Sequence, residues 1–122
     1  MSQNTETVER YLDGFRRSDH AQILTCLADD IEWHIPGVFT VQGKAEFAGH
    51  IIDEGFTGSP VIEVTRLLES RSLVVVEGSV RAGRMDGGFV YLAFCDLFEM
   101  SEGRISRLTS YLMQVPADDM PA

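Results

Sequence analysis

The chain has 122 residues, 44% of them hydrophobic and 24% charged, the balance of one globular domain (residues 1–122) with room for a single core. A formal net charge of −9 argues against nucleic acid as a partner, because phosphate binding needs clustered Lys and Arg. No apolar run approaches the roughly 20 residues of a membrane span. The polar opening MSQNTETVER has no signal-peptide core, so no membrane partner is expected and the cytoplasm is the default location.

Val8, Tyr11, Leu12 and Phe15 recur at the spacing of an amphipathic helix, which predicts a first helix over Glu6 to Arg17, slightly weakened by Gly14. Ser18-Asp19 ends it and opens a second, about His20 to Ala28, with Asp19 and Gln22 three apart as in a capping box. Ile23, Leu24 and Leu27 form its buried side, and His20, in its first turn, is assigned no role. Asp29-Asp30 breaks the helix. Ile31 to Ile35 then alternates as a short strand that stops at Pro36-Gly37. Phe39 to Gly43 reads as a connection. A third helix, about Lys44 to Glu54, brings Phe47, His50, Ile51 and Glu54 near one another, with Gly55 and Gly58-Ser59-Pro60 marking its end.

From Val61 onward the period changes to that of strands: Val61 to Leu68, Leu73 to Arg84, Phe89 to Met100 and Arg104 to Val115. Asp86-Gly87-Gly88 is a strong hairpin signal, Ser70-Arg71-Ser72 a weaker one, and Ser101-Glu102-Gly103 joins the last pair. Residues 116–122 read as a loose tail. Helices before strands predict an α+β fold, a cone-shaped curved antiparallel sheet with three N-terminal helices packed on its concave face. Such layers leave an apolar hollow in which a few polar groups converge.

One residue stands out against that hollow. Leu92, Phe94, Asp96 and Phe98 share a face of their strand, so Asp96 interrupts an apolar stripe. A carboxylate there finds a partner, stays protonated or faces a cavity, unless the strand is an edge and Asp96 faces water. Cys26 reads as core. Cys95 points away from Asp96, and neither cysteine belongs to a cluster of metal-ligand spacing, so no metal and no cofactor are implied.

Three segments resemble the nuclear transport factor 2-like superfamily, in its ketosteroid isomerase and SnoaL-like polyketide cyclase branches. They are Arg10-Tyr11-Leu12 with Arg17-Ser18-Asp19, then Leu27 to Pro36, then Asp96 to Met100 with Gly103-Arg104-Ile105 and Tyr111-Leu112. The resemblance implies that Tyr11 and Asp96 are the two donors of an oxyanion hole, Asp96 as a protonated acid. That pair is the worked example usually given for such a site. The sheet face that the helices leave uncovered is expected to carry Tyr91, Leu97, Tyr111 and Met113, an apolar patch that predicts a homodimer, and the resemblance also implies sheet-to-sheet pairing. Two departures matter. The residue before the strand-ending proline, an aspartate base in ketosteroid isomerases, is Ile35 here, and a supporting third-helix tyrosine falls near Ile51.

Tyr11 reads either as a structural tyrosine or as a pocket donor. His34 is the natural substitute base, although strict alternation turns it away from the face of Trp33 and Ile35. His50 is the other candidate, with Glu54 placed to orient it at i, i+4. Trp33, Ile35, Phe39, Phe47, Ile51, Phe94 and Leu112 are expected to bind substrate. Arg84-Met85-Asp86 matches an Arg-x-Asp pair of epoxide hydrolases in the superfamily but reads as a solvent-exposed hairpin end. The expected function is an isomerase, cyclase or related lyase acting on a hydrophobic carbonyl compound by proton transfer with enolate stabilisation. The alternative is a non-catalytic ligand-binding or dimerisation module of the same fold.

Overall fold

The computed structural model describes residues 2–51 and 56–120. Helix α1 spans Gln3–Arg16, three residues earlier than the apolar periodicity indicates, because Ser2 caps it by accepting from the Thr5 N–H. The Thr5 hydroxyl then donates to the Glu69 carboxylate at 2.6 Å, and Ser2 bonds the same carboxylate, which ties the helix start to a distant strand. Val8, Tyr11 and Leu12 are buried on the inner side.

Helix α2 is shorter than expected, His20–Thr25, with Asp19 accepting from the Gln22 N–H at 3.0 Å. Gly14 earns its place here. A Cβ on it would lie 2.7 Å from the Ile23 side chain, so the glycine lets α2 close against α1. Leu27 is fully buried, but from a strand. The chain leaves the helix at Cys26, whose carbonyl accepts from the Ile105 N–H, and β1 runs from Leu27 to Ile35.

Strand β2, Phe39–Gln42, replaces the expected connection and pairs antiparallel with β1. Helix α3 covers Gly43–Ile51. Glu54, expected to orient His50, lies outside the described residues. Strand β3, Phe56–Ser70, begins earlier than expected and takes in Gly58-Ser59-Pro60. Pro60 is tolerated because β3 is an edge strand, where a missing N–H costs no ladder bond. Strands β4, Leu73–Arg84, β5, Phe89–Ser101, and β6, Arg104–Gln114, follow the predicted spans closely.

The six strands lie in the order β2-β1-β6-β5-β4-β3, all antiparallel except β1 beside β6. The four-stranded meander expected from the sequence is therefore extended by a hairpin from the N-terminal half. A bulge in β3 between Val64 and Arg66 helps the sheet curve. Opposite it, a Cβ at position 78 would lie 2.1 Å from the Glu63 carbonyl oxygen, so only Gly78 fits.

The core fills the concave side: Val8, Leu12, Ile23, Ile31, Phe98 and Leu108 are among its members. The Val115 N–H bonds the Tyr91 carbonyl at 2.9 Å, and a short 3-10 turn spans Ala117–Asp119. No helix among the described residues is long and apolar enough to cross a membrane.

Candidate functional site

Strand β5 alternates as its sequence demands: Phe94, Asp96, Phe98 and Met100 are buried beneath the helices, while Cys95 and Leu97 turn outward. Asp96 therefore faces the concave side, only 9% exposed. Across the ladder it meets Val76 on one side and Ser110 on the other. Its Oδ1 is buried without a hydrogen-bond partner. Burial raises its pKa from 3.8 to about 7, against a smaller opposing pull from hydrogen bonding with Ser110. Near neutrality this carboxyl exists in both protonation states.

Asp96 opens onto a cavity of about 110 Å³ whose walls come from every layer of the fold: Tyr11 and Phe15 of α1, Trp33 of β1, Phe94 of β5, Ser110 and Leu112 of β6. Leu12, Ile62 and Val80 complete the lining. Tyr11 is held by aromatic packing, with ring centroids 5.0 Å from Phe15 and 5.3 Å from Phe98 in edge-to-face arrangements. Burial pushes its hydroxyl well above the ordinary value, and the nearby Asp96 charge pushes the same way. Tyr11 thus stays a neutral donor throughout the ordinary pH range.

Trp33 donates its indole N–H to the Ser110 hydroxyl oxygen at 3.1 Å. That bond leaves the Ser110 hydrogen free to turn toward Asp96, its cross-strand neighbour. Trp33 is fixed in turn by Phe47, stacked on it at 4.4 Å, and by Phe39, edge-on at 5.1 Å.

The expected site residues other than the two histidines fall into three groups. Tyr11, Asp96, Trp33, Phe94 and Leu112 share the cavity. Phe47 and Phe39 lie behind Trp33, so they support the wall without forming it, and Ile35 is buried in the core beyond it. Ile51 lines a second, adjoining cavity.

Neither of the proposed histidine bases lines the 110 Å³ cavity. His34 alternates to the opposite face of β1, where Nδ1 pairs with the Thr40 hydroxyl at 2.6 Å. His50 is exposed, its Nδ1 donating to the Glu46 carbonyl at 2.9 Å and its ring 4.6 Å from Phe39. Arg84 and Asp86 form a two-bond ion pair on the exposed β4–β5 hairpin, and neither lines the cavity. The Cys95 thiol is pushed up by burial and by the Asp96 and Glu77 charges, which disfavours a thiolate. Among the described residues no group of side chains has the makings of a metal site.

Sequence reasoning missed Ser110. Counting straight back from the Ser101–Arg104 pair sets Thr109 opposite Asp96, but a bulge between Glu99 and Met100 moves the pairing by one. Ile62 and Val80 were also missed; nothing in an ordinary strand pattern separates a cavity-lining valine from a packed one.

A curved α+β sheet with helices over its concave side, and a tyrosine and a buried acid beneath them, has nuclear transport factor 2-like architecture. The SnoaL-like domain model matches residues 8–108, and the chain belongs to that family. Among solved structures it is similar to an LEH-like epoxide hydrolase of M. tuberculosis (19% identity, TM-score 0.80, 97% of this chain and 86% of that one). It is similar too to a protein assigned as a ketosteroid isomerase from Kribbella flavida DSM 17836 (22% identity, TM-score 0.75, 98% and 91%). A third is a protein assigned as a SnoaL-like polyketide cyclase from Shewanella putrefaciens CN-32 (13% identity, TM-score 0.80, 92% and 80%). Identities this low carry the fold and no more. None of the curated proteins compared matches the chain.

Proposed function

We propose that this protein moves a proton on a hydrophobic carbonyl compound, as an isomerase or cyclase of the SnoaL-like and ketosteroid isomerase-like kind. The observation that carries the reading is the buried, unpartnered Oδ1 of Asp96 in an apolar cavity shared with Tyr11. Those two are the only titratable groups among the described residues lining that cavity. A pKa of about 7 suits a group that must both take and return a proton near neutrality.

In this mechanism the Tyr11 hydroxyl donates a hydrogen bond to the substrate oxygen. Ionised Asp96 takes a proton from the carbon next to the carbonyl, and the electron pair of that C–H bond moves onto the oxygen as an enolate. Tyr11 stabilises the new charge in a largely apolar site. The proton then returns from Asp96 to a different carbon, which isomerises the substrate, or the enolate carbon attacks a second carbonyl of the same molecule and closes a ring. In the latter case Asp96 delivers its proton to the new alkoxide. General-base catalysis of this kind contributes about 10²–10⁴-fold.

A non-catalytic binding module is the second reading. It is favoured by the apolar Ile35 at the base position that the resemblance identifies and by the two histidines lying outside the cavity.

The test is deuterium exchange at the α-carbons of 2-butanone, followed by NMR as a function of pH. Exchange that rises through about pH 7, vanishes in Asp96→Asn and weakens in Tyr11→Phe without a change of midpoint is expected. Exchange that falls through the same pH makes Asp96 an oxygen-facing donor with the base elsewhere. Binding without exchange makes the protein a module.

A homodimer through the outer sheet face belongs to the same proposal. Tyr111 and Met113 are 52% and 67% exposed there, beside a groove of about 490 Å³ that also takes in Ala93 and Cys95. Exposed apolar surface of this kind favours a self-complementary contact.

A further inference from the structure

The 110 Å³ cavity is too small for the substrate it is asked to hold. An apolar cavity of about 150 Å³ takes one benzene ring, and sites for small organic ligands run from about 300 Å³ upward. A second cavity of about 390 Å³ lies immediately beside it. Phe15 lines both. Along β3 the wall passes from Ile62 in the inner cavity to Pro60 in the outer one, and along β4 from Val80 to Ala82, in each case the next residue on the same face. Ile23 of α2 and Ile51 of α3 also line it, with Ser18, His20 and Thr57 supplying its polar groups.

We infer that the two cavities are one binding site divided by the Phe15 side chain, and that the substrate is elongated. A small oxygen-bearing head sits with Tyr11 and Asp96, a neck passes Phe15, and an apolar body fills the outer cavity. The inference rests on the carbonyl reading for its head group only; the division by Phe15 stands on the lining residues. Phe15 is held against Tyr11 by the edge-to-face contact, so the residue that sets the width of the neck also touches the oxygen-facing tyrosine. Substrates are therefore selected by shape at Phe15 and by length in the outer cavity. A compact ring lacking a chain gains little from the larger compartment.

The experiment uses linear methyl ketones from 2-butanone to 2-octanone, titrated into the full chain. Trp33 is the only tryptophan and lines the inner cavity, so its fluorescence reports arrival of the head. Each added methylene that leaves water is expected to tighten binding roughly fourfold. Ala82→Phe and the gentler Ala82→Leu fill the outer cavity by different amounts, and each is expected to shrink the affinity ratio of 2-octanone to 2-butanone, the larger residue more. Phe15→Ala is expected to raise the affinity of 4-tert-butylcyclohexanone relative to 2-octanone.

Affinity that does not depend on chain length overturns the inference. So does a length dependence that survives in a folded Ala82 variant, because the chain then lies elsewhere. An unchanged shape preference in Phe15→Ala removes Phe15 as the divider. Tyr11→Phe separates the two proposals: without the hydroxyl that donates to the ketone oxygen, every ketone should bind more weakly by a similar factor while the length dependence stays intact. A length dependence with no effect of Tyr11→Phe refutes the carbonyl head while keeping the two-part site.

Discussion

Replacing Asp96 by Asn should change how stability depends on pH, and the sign follows from burial. In the unfolded chain this carboxyl ionises near its ordinary value of 3.8; in the folded protein it keeps its proton until about pH 7. Below pH 3.8 both states are protonated and Asp96 contributes no difference. Between those values the folded state holds a proton that the unfolded state has released, so stability falls by about 1.4 kcal/mol for each pH unit. Above pH 7 the full cost of about 4 kcal/mol remains, a large part of the ~5–15 kcal/mol that holds a typical domain together.

Asparagine has nearly the same shape and cannot ionise, so its variant escapes this cost. The assay is urea unfolding of both proteins at half-unit steps from pH 4 to 8, followed by Trp33 fluorescence. The slope against urea is checked for constancy so that midpoints report stability alone. Carboxylates common to both proteins cancel in the difference. The variant should gain on the native protein by about 4 kcal/mol between pH 4 and pH 7.5, then stay parallel to it. A difference that is flat across that range would falsify the assignment of Asp96 to a dry cavity and, with it, the proton-transfer mechanism.

Ser110→Ala should move the Asp96 midpoint upward, since hydrogen bonding from Ser110 holds it down; a carboxyl-carbon NMR titration reads this, and a lower midpoint contradicts it. The same variant leaves the Trp33 N–H without its partner and should cost about 1–3 kcal/mol of stability. Phe47→Ala should cost about 3–5 kcal/mol in urea unfolding, because Phe47 is fully buried and stacked on Trp33, and a loss below about 1 kcal/mol would mean that the site collapses to fill the space. Sedimentation at micromolar concentration should show a dimer of the native chain and a monomer of Met113→Glu, placed on the outer face; a native monomer removes the dimer proposal.

Much of the architecture is written in short-range pattern. The 3.6-residue spacing of Val8, Tyr11, Leu12 and Phe15 defines α1, and strict alternation sends Asp96 to the same side of β5 as Phe94 and Phe98. Those two facts, with Tyr11 on the buried side of its helix, already contain the acid and the tyrosine of the candidate site. Alternation likewise turns His34 away from the side of Trp33.

The rest depends on contacts between residues far apart in the chain, which no local period encodes. Whether Leu27 ends a helix or starts a strand depends on its parallel pairing with β6, a neighbour some eighty positions away. Ser110 faces Asp96 only because one bulge moves the β5–β6 register, and a one-residue slip turns every side chain over. The raised pKa of Asp96 is tertiary in the same sense. A sequence shows that a carboxylate lies on an apolar face, but its protonation depends on how completely the helices exclude water above it. Phe15 looks like any core phenylalanine in the sequence; only the packing of α1 over β3 and β4 sets it between two cavities.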